Sequence, residues 1–365
     1  MKFVFIVQGE GRGHMTQAIA LASILEQQGH EVKHILIGKS NRRQLPEFVR
    51  KNLKAPIIQF ESPNFHTDKK GKSINLFKTI TKNILRSNKY IHSLRILDRV
   101  IKVDQPDIIL NFYDVLAGIY NLFFRPKAAF WTIGHQYLIY HSSFPFAPNS
   151  FIQKKLFQFN TSITALGADK LLALSFRDYP KSTHKKLIVI PPVLRSEIHR
   201  LTPKEGDYIL SYIVNSGYAE EIVLFAQENP EIKIEAFWDR RECEKIYKPQ
   251  PNITFHQIDD RKFLEKMANC KGLVCTAGFE SVCEAMYLGK QVMMIPVTGQ
   301  YEQACNAIDA QNAHAGLAHH SFDFKLFSDY LDRAKKNDLA FRKWQLQLPK
   351  MLEKIIAESN SPSTL

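Results

Sequence analysis

The chain has 365 residues, of which 45% are hydrophobic, with 49 Lys and Arg against 36 Asp and Glu. That length and apolar share suit a globular chain of two domains, and no apolar run approaches the length of a bilayer span. The N-terminus opens on a strand-like segment without a signal peptide's long apolar region, so cytoplasmic residence is the expectation. The cysteines, Cys243, Cys270, Cys275, Cys283 and Cys305, form no Cys-x-x-Cys pair and read as small buried hydrophobes, not as disulfides or zinc ligands. Charge divides the chain. Residues 1–200 hold 30 Lys and Arg against 13 Asp and Glu, net +17, whereas the remainder holds 19 against 23, net −4. Two domains with different partners follow from that asymmetry.

Residues 3–7 predict a short apolar strand, followed by Gln8-Gly-Glu-Gly-Arg-Gly-His14 and a helical pattern over 15–28. Gly9, Gly11 and Gly13 suit a loop that hugs a ligand, and His14 stands where this loop meets the helix. A dinucleotide fingerprint needs another glycine at position 14 and an acidic residue closing the second strand. That strand, residues 31–37, runs instead into Gly38-Lys39-Ser40. Positive charge then concentrates between Lys39 and Lys102, interleaved with Phe65, Phe77, Ile84, Tyr90 and Leu94. Together with the aromatic, loop-like segment 135–146, this stretch suits the headgroup region of an anionic membrane. The plainer alternative is a solvated basic face, and no nucleic-acid module is present.

Residues 108–112, 128–132 and 170–173 predict further strands of the first half. Asp114 ends the first of these and opens a helix over 115–122, where an aspartate N-cap explains it by itself. Asp104 and Asp107 read as a helix end and a strand start. Prolines and a glycine punctuate the chain between Ile190 and Gly206, so the boundary falls there. Beyond it come strand 208–214, helix 219–228, strands 232–238 and 253–257, and helix 262–269. The alternation marks an α/β doubly wound parallel sheet in each half. A last helix spans about 339–357, and residues 359–365 read as a frayed tail.

The most informative stretch runs from Gly272 to Pro296: buried strand, Gly278 turn, helix, strand. A helix starting beside the carboxyl end of a strand presents free N–H groups and a positive dipole end, which hold phosphate without a metal. No Asp-x-Asp occurs in the sequence, so the carboxylate pair of metal-dependent GT-A transferases is missing and no metal or other cofactor is expected. Just past the next strand, Gly299-Gln-Tyr-Glu-Gln-Ala-Cys-Asn306 offers polar side chains. His14 is the candidate general base, because imidazole exchanges protons near neutral pH.

These segments, with Gly13-His-Met-Thr-Gln-Ala-Ile-Ala-Leu-Ala22, resemble the GT-B glycosyltransferases related to the peptidoglycan GlcNAc transferase and the UDP-glycosyltransferases. The likeness is sharp at residues 3–22, 106–133 and 253–312. It implies two Rossmann-like domains facing across a cleft: an acceptor domain over 1–200, a donor domain over 206–338, and a helix 339–357 packing back on the first. It implies a nucleotide-sugar co-substrate, by preference a UDP-sugar, and a glycan, lipid-linked or small-molecule acceptor. Asp114 then stands where many UDP-glycosyltransferases place a histidine-orienting aspartate. Gly11, Arg12 and Gly13 face Gly278, Phe279, Glu280 and Ser281 around the departing diphosphate, and Ser216 and Gly217 touch the nucleotide. Ile258 reads the base, Glu284 takes the ribose hydroxyls, and Glu302 and Gln303 grip the donor sugar beside Asn306. Where plant-type enzymes carry Trp-x-Pro-Gln and Thr-His-x-Gly, this chain has Phe255-His-Gln-Ile258 and Cys275-Thr-Ala-Gly278. Base stacking on Trp and a histidine–phosphate contact are therefore not carried over. Two other activities fit the same fold: a UDP-sugar 2-epimerase, and a nucleotide-sugar-binding protein without turnover.

Overall fold

The computed structural model describes residues 1–39, 45–63, 86–148, 151–213, 218–240, 244–334 and 339–360. Ser216, Gly217, Cys243, the basic residues between 64 and 85 and the tail beyond 360 lie outside the described residues. The first sheet contains β1 (Lys2–Val7), β2 (Glu31–Lys39), β3 (Ile57–Glu61), β4 (Ile108–Phe112), β5 (Ala129–Gly134), β6 (Lys170–Leu174) and β7 (Leu187–Ile190). Its order is β3-β2-β1-β4-β5-β6-β7, parallel throughout. The second contains β8 (Tyr208–Ile213), β9 (Lys233–Trp238), β10 (Ile246–Gln250), β11 (Ile253–Gln257), β12 (Gly272–Thr276), β13 (Gln291–Ile295) and β14 (Gly316–Ala318). Its order is β10-β11-β9-β8-β12-β13-β14, parallel except for the antiparallel edge strand β10.

Apolar residues on consecutive positions form these strands because helices cover both faces of each sheet. In β1, Phe3, Phe5 and Val7 enter one core cluster while Val4 and Ile6 enter the other. The sequence reading did not anticipate β10. Lys248 and Pro249 obscure it, and proline is tolerated there because an edge strand leaves some N–H groups unpaired. The last helix is broken into Ala340–Gln345 and Leu348–Asn360. Pro349 cannot donate a backbone hydrogen bond, and its ring collides with the carbonyl of Gln345 in any continuous helix. Trp344 Nε1 donates to Ser175 O at 3.1 Å and Gln28 Nε2 donates to Pro349 O at 2.8 Å, so both helices touch the first sheet's half.

In each sheet the strand order reverses next to one central strand, and crevices for ligands open at the carboxyl ends there. In the first sheet the reversal lies between β1 and β4, and Val7 pairs with Phe112 at that edge. In the second it lies between β8 and β12. The loop after β1 is pressed hard onto β2. A Cβ on Gly9 would lie 1.6 Å from Gly38 O, so the loop takes this course only with glycine. Gly9→Ala is expected to destabilise the fold by at least about 1–3 kcal/mol, read as a lower urea midpoint.

Candidate active site

The loop after β1 leads into helix Arg12–Gln27, whose N-cap is Gly11 with extended backbone and no side-chain cap. The helix starts three residues before the apolar periodicity, so Arg12 and Gly13 belong to its first turn. The loop after β12 leads in the same way into helix Phe279–Tyr287, capped by Gly278 in extended conformation and again by no side chain. Their first-turn N–H groups are therefore available to an anion. The two helix starts meet across the cleft. A Cβ on Gly13 would stand 2.8 Å from Glu280 Cγ, and Gln17 Nε2 donates to Glu280 Oε1. Arg12 Nη2 reaches Asp260 Oδ2 at 3.4 Å from the same helix.

His14 is half-buried, and its ring stacks on Tyr113 with centroids 5.8 Å apart and planes at 21°. Burial lowers its pKa to about 4 against the opposing effect of a Gln17 hydrogen bond, so the imidazole is neutral at pH 7. Its Nδ1 is shielded from solvent and has no hydrogen-bond partner. Tyr113 adopts a left-handed backbone, φ 61°, at the turn out of β4. Its hydroxyl is bonded to Thr161 Oγ1 at 2.7 Å, which fixes the ring under His14.

Asp114 does not reach His14 by a hydrogen bond. Its Oδ1 accepts from Leu116 N at 2.8 Å and Ala117 N at 3.3 Å, capping helix Val115–Phe124, and its Oδ2 accepts from Ser62 Oγ at 2.7 Å. The carboxyl is fully buried, and burial pushes its pKa up to about 6 against these three donors. The capping role is thus fulfilled, and both oxygens are engaged.

The remaining residues divide by their surroundings. Glu280 Oε2 is enclosed without a partner, and burial with the nearby Glu284 raises its pKa to about 8. Ser281 lies beside the Cys275 thiol. Phe279 is buried, stacked on His135 at 4.3 Å and tilted on Phe176 at 4.6 Å, which anchors the Gly278 loop to the first half. Glu302 Oε1 accepts from Gln136 Nε2 at 2.9 Å, also across the cleft, and burial raises it to about 7. Gln303 closes its own loop, accepting from Val297 N at 2.9 Å and donating to Gln300 Oε1 at 2.8 Å. Asn306 is buried and donates to Ala277 O at 3.2 Å, bracing the Gly278 turn from behind. Glu284 is buried and held by both arms of Arg195, at 2.5 and 2.9 Å. Ile258, partly exposed, follows β11 and stands just before Asp259, which caps helix Asp260–Ala268.

Sequence reasoning missed Gln17, Tyr113, Gln136, Arg195 and Asp260. Only Gln17 left a signal, standing one helical turn after Gly13 and so on its face. The segment 135–146 is also corrected. It is not a surface loop, because residues His135–Tyr140 form a tight 3-10 turn that buries His135, Gln136, Tyr137 and Leu138. Its aromatic side chains fill the core between β5, β6 and helix Phe151–Thr164.

The family model described as "Glycosyl transferase family 1" matches residues 1–334. The chain belongs to that family. No curated protein sequence matches this glycosyltransferase. Among solved structures it is similar to Arabidopsis thaliana UGT89C1 complexed with quercetin, at a TM-score of 0.66 and 13% identity over 98% of this chain and 99% of the other. Phytolacca americana UGT2, complexed with UDP-2fluoro-glucose and pterostilbene, gives 0.64 and 11% over 99% and 100%. Acinetobacter baumannii MurG gives 0.58 and 17% over 98% and 100%. At these identities the structures show the fold, which is the two-domain GT-B architecture of glycosyltransferases.

Two buried carboxyls of this glycosyltransferase dictate its response to pH near neutrality. Glu280 and Glu302 have an ordinary pKa of 4.5 and are raised to about 8 and about 7, so the folded chain holds protons that the unfolded chain has lost. Stability falls with rising pH across that window. His14, lowered from 6.5 to about 4, acts with the opposite sign, but only below pH 6.5. Between about pH 6.5 and 8 the carboxyls act alone. The urea midpoint is therefore expected to drop over that interval, and less steeply in Glu280→Gln.

Proposed function

We propose that this glycosyltransferase moves a sugar from a nucleotide-sugar, by preference a UDP-sugar, to an acceptor hydroxyl with inversion and without a metal ion. The observation that carries the reading is the pair of uncapped helix N-termini, at Gly11–Gly13 and Gly278–Ser281, facing each other at the switch points of the two sheets. Opposed backbone donors of this kind stabilise the diphosphate as negative charge develops on it. His14 takes the acceptor proton while the acceptor oxygen attacks the anomeric carbon, and the bond from that carbon to the diphosphate oxygen breaks in the same displacement. Glu280 and Glu302 would repel a diphosphate if ionised. Their raised pKa values keep a proton on them near neutrality, and a protonated carboxyl donates to phosphate or sugar oxygens instead.

Within this reading Glu302 and Gln303 face the donor sugar, Glu284 the ribose and Ile258 the base. The Phytolacca neighbour, which holds UDP-2fluoro-glucose, supports the uridine preference. The test is a thermal-shift series with UDP, GDP, TDP and CDP and their sugars in EDTA. A selective rise with uridine compounds supports the reading, and no rise with any nucleotide removes it. Product analysis without an acceptor then separates transfer from epimerisation.

A further inference from the structure

Helix Phe151–Thr164 has two apolar faces. Phe157, Thr161 and Thr164 are buried at i, i+4 and i+7, and Phe157 packs on Tyr301 with ring centroids 6.2 Å apart. A helix whose job ended at that contact would carry mainly polar residues on its other side. This one sets large apolar side chains among them. Phe151 is 75% exposed, Ile152 71% and Phe159 63%, and Leu156 lies between them on the same outward face. The neighbouring helix Val115–Phe124, close enough that a Cβ on Gly118 would lie 1.9 Å from Ile163 O, carries Phe123, 74% exposed, in its last turn.

Charge decides what covers this face. Between Asp114 and Asp169 the sequence contains no Asp or Glu. The only charged side chains on the helix are Lys154 and Lys155. Lys154 Nζ sits 3.8 Å from the centroid of the Phe146 ring and Lys155 Nζ 5.5 Å from that of Phe151. Arg125 and Lys127 follow Phe123. Aromatic side chains that project outward among lysines, on two helices that carry no acidic residue to repel an anion, match an acidic bilayer surface. Rings enter the acyl boundary while ammonium groups meet lipid phosphates. Among the described residues no helix is long and apolar enough to cross a membrane, so contact of this kind is made from one side.

We infer that the outward face of helix Phe151–Thr164 docks this protein on an anionic lipid bilayer. The buried face of the same helix packs against helix Tyr301–Asn312, which carries Glu302, so docking sets the mouth of the cleft beside the headgroups. That an acceptor is delivered there rests on the proposed sugar transfer; the docking itself does not.

The experiment is flotation of the full chain with phosphatidylcholine vesicles, with and without phosphatidylglycerol, at low and high salt. The wild type is expected to float only with the anionic vesicles and to be released by salt. Phe151→Ser/Phe159→Ser is expected to lower the bound fraction at least tenfold, and each of Lys154→Ala and Lys155→Ala about fivefold. Circular dichroism checks that these exposed changes leave the fold intact, and UDP binding without vesicles separates loss of docking from loss of the donor site. Failure to float on anionic vesicles at low salt overturns the inference. So does unchanged flotation of the double phenylalanine variant, or a wild-type dimer in solution that the same variant dissociates.

Discussion

His14→Ala is expected to lower the rate of sugar transfer by about 10²–10⁴-fold while leaving nucleotide affinity nearly unchanged. The ring stands in the first turn of the helix that follows the glycine loop. It carries no structural hydrogen bond through Nδ1, and its contact with Tyr113 is a stack that alanine leaves unfilled without exposing a polar group. The variant should therefore remain folded. The acidic limb of the pH profile supplies a second readout. In the donor-free protein burial holds His14 at about 4, so kcat/KM should keep its plateau down to about pH 5. A bound diphosphate places negative charge near the imidazole and raises its pKa, so the acidic limb of kcat should appear at higher pH than that of kcat/KM. Coincident limbs would show that His14 is not the titrating base. Asp114→Asn separates the other half of the expected pair. An aspartate that only caps loses stability on this change, whereas one that orients the base also loses turnover after stability is accounted for. With both oxygens already occupied by Ser62 and the helix N–H groups, the first outcome is expected.

What the sequence made legible were features encoded within one stretch of chain. The strand at Gly272, the Gly278 turn and the following helix could be read together because burial on both faces, glycine and helical periodicity all lie within a few residues. Asp114 as an N-cap was legible for the same reason. Partners brought together only by folding were not. Gln17 and Glu280 are 263 positions apart, and nothing near either one announces the other. Arg195 read only as part of the proline-punctuated connection between Ile190 and Gly206, yet it holds the Glu284 carboxylate of helix Phe279–Tyr287. The aromatic run at 135–146 misled in the opposite direction. Aromatic residues interrupted by Gln, His and Ser look like surface, but Tyr137 finds Thr164 Oγ1 at 2.9 Å and His135 finds Leu174 O at 2.8 Å, which makes their burial affordable. The exposed face at Phe151–Phe159 was not legible in the sequence either, because periodicity alone does not say which of two apolar stripes is covered.

Arg195→Ala is expected to destabilise the protein by about 3–5 kcal/mol. Its guanidinium grips Glu284 through Nε and Nη2, and its Nη1 lies 3.9 Å from Asp260 Oδ1. The Glu284 side chain is 2% exposed and that of Arg195 17%, so water cannot replace the lost donors. Removing the cation leaves the buried Glu284 carboxylate without a counter-charge, beside the Glu280 carboxyl that its charge already helps to keep protonated. The deficit comes from the stranded charge, and the intact ion pair by itself contributes far less than this figure. Two further variants test that account. Glu284→Gln in the Arg195→Ala background should recover much of the loss, because a neutral amide needs no counter-charge. Arg195→Met/Glu284→Leu, which removes both charges and keeps the volume, should lie close to wild type in urea unfolding. If both double variants remain as unstable as Arg195→Ala, the side chain matters for packing in the connection between the sheets and not for the carboxylate. The functional consequence differs between the same variants. If Glu284 holds the ribose, Glu284→Gln and Glu284→Leu weaken nucleotide binding whatever their stability, so a stable Arg195→Met/Glu284→Leu protein that has lost uridine affinity would assign the carboxylate to the donor directly.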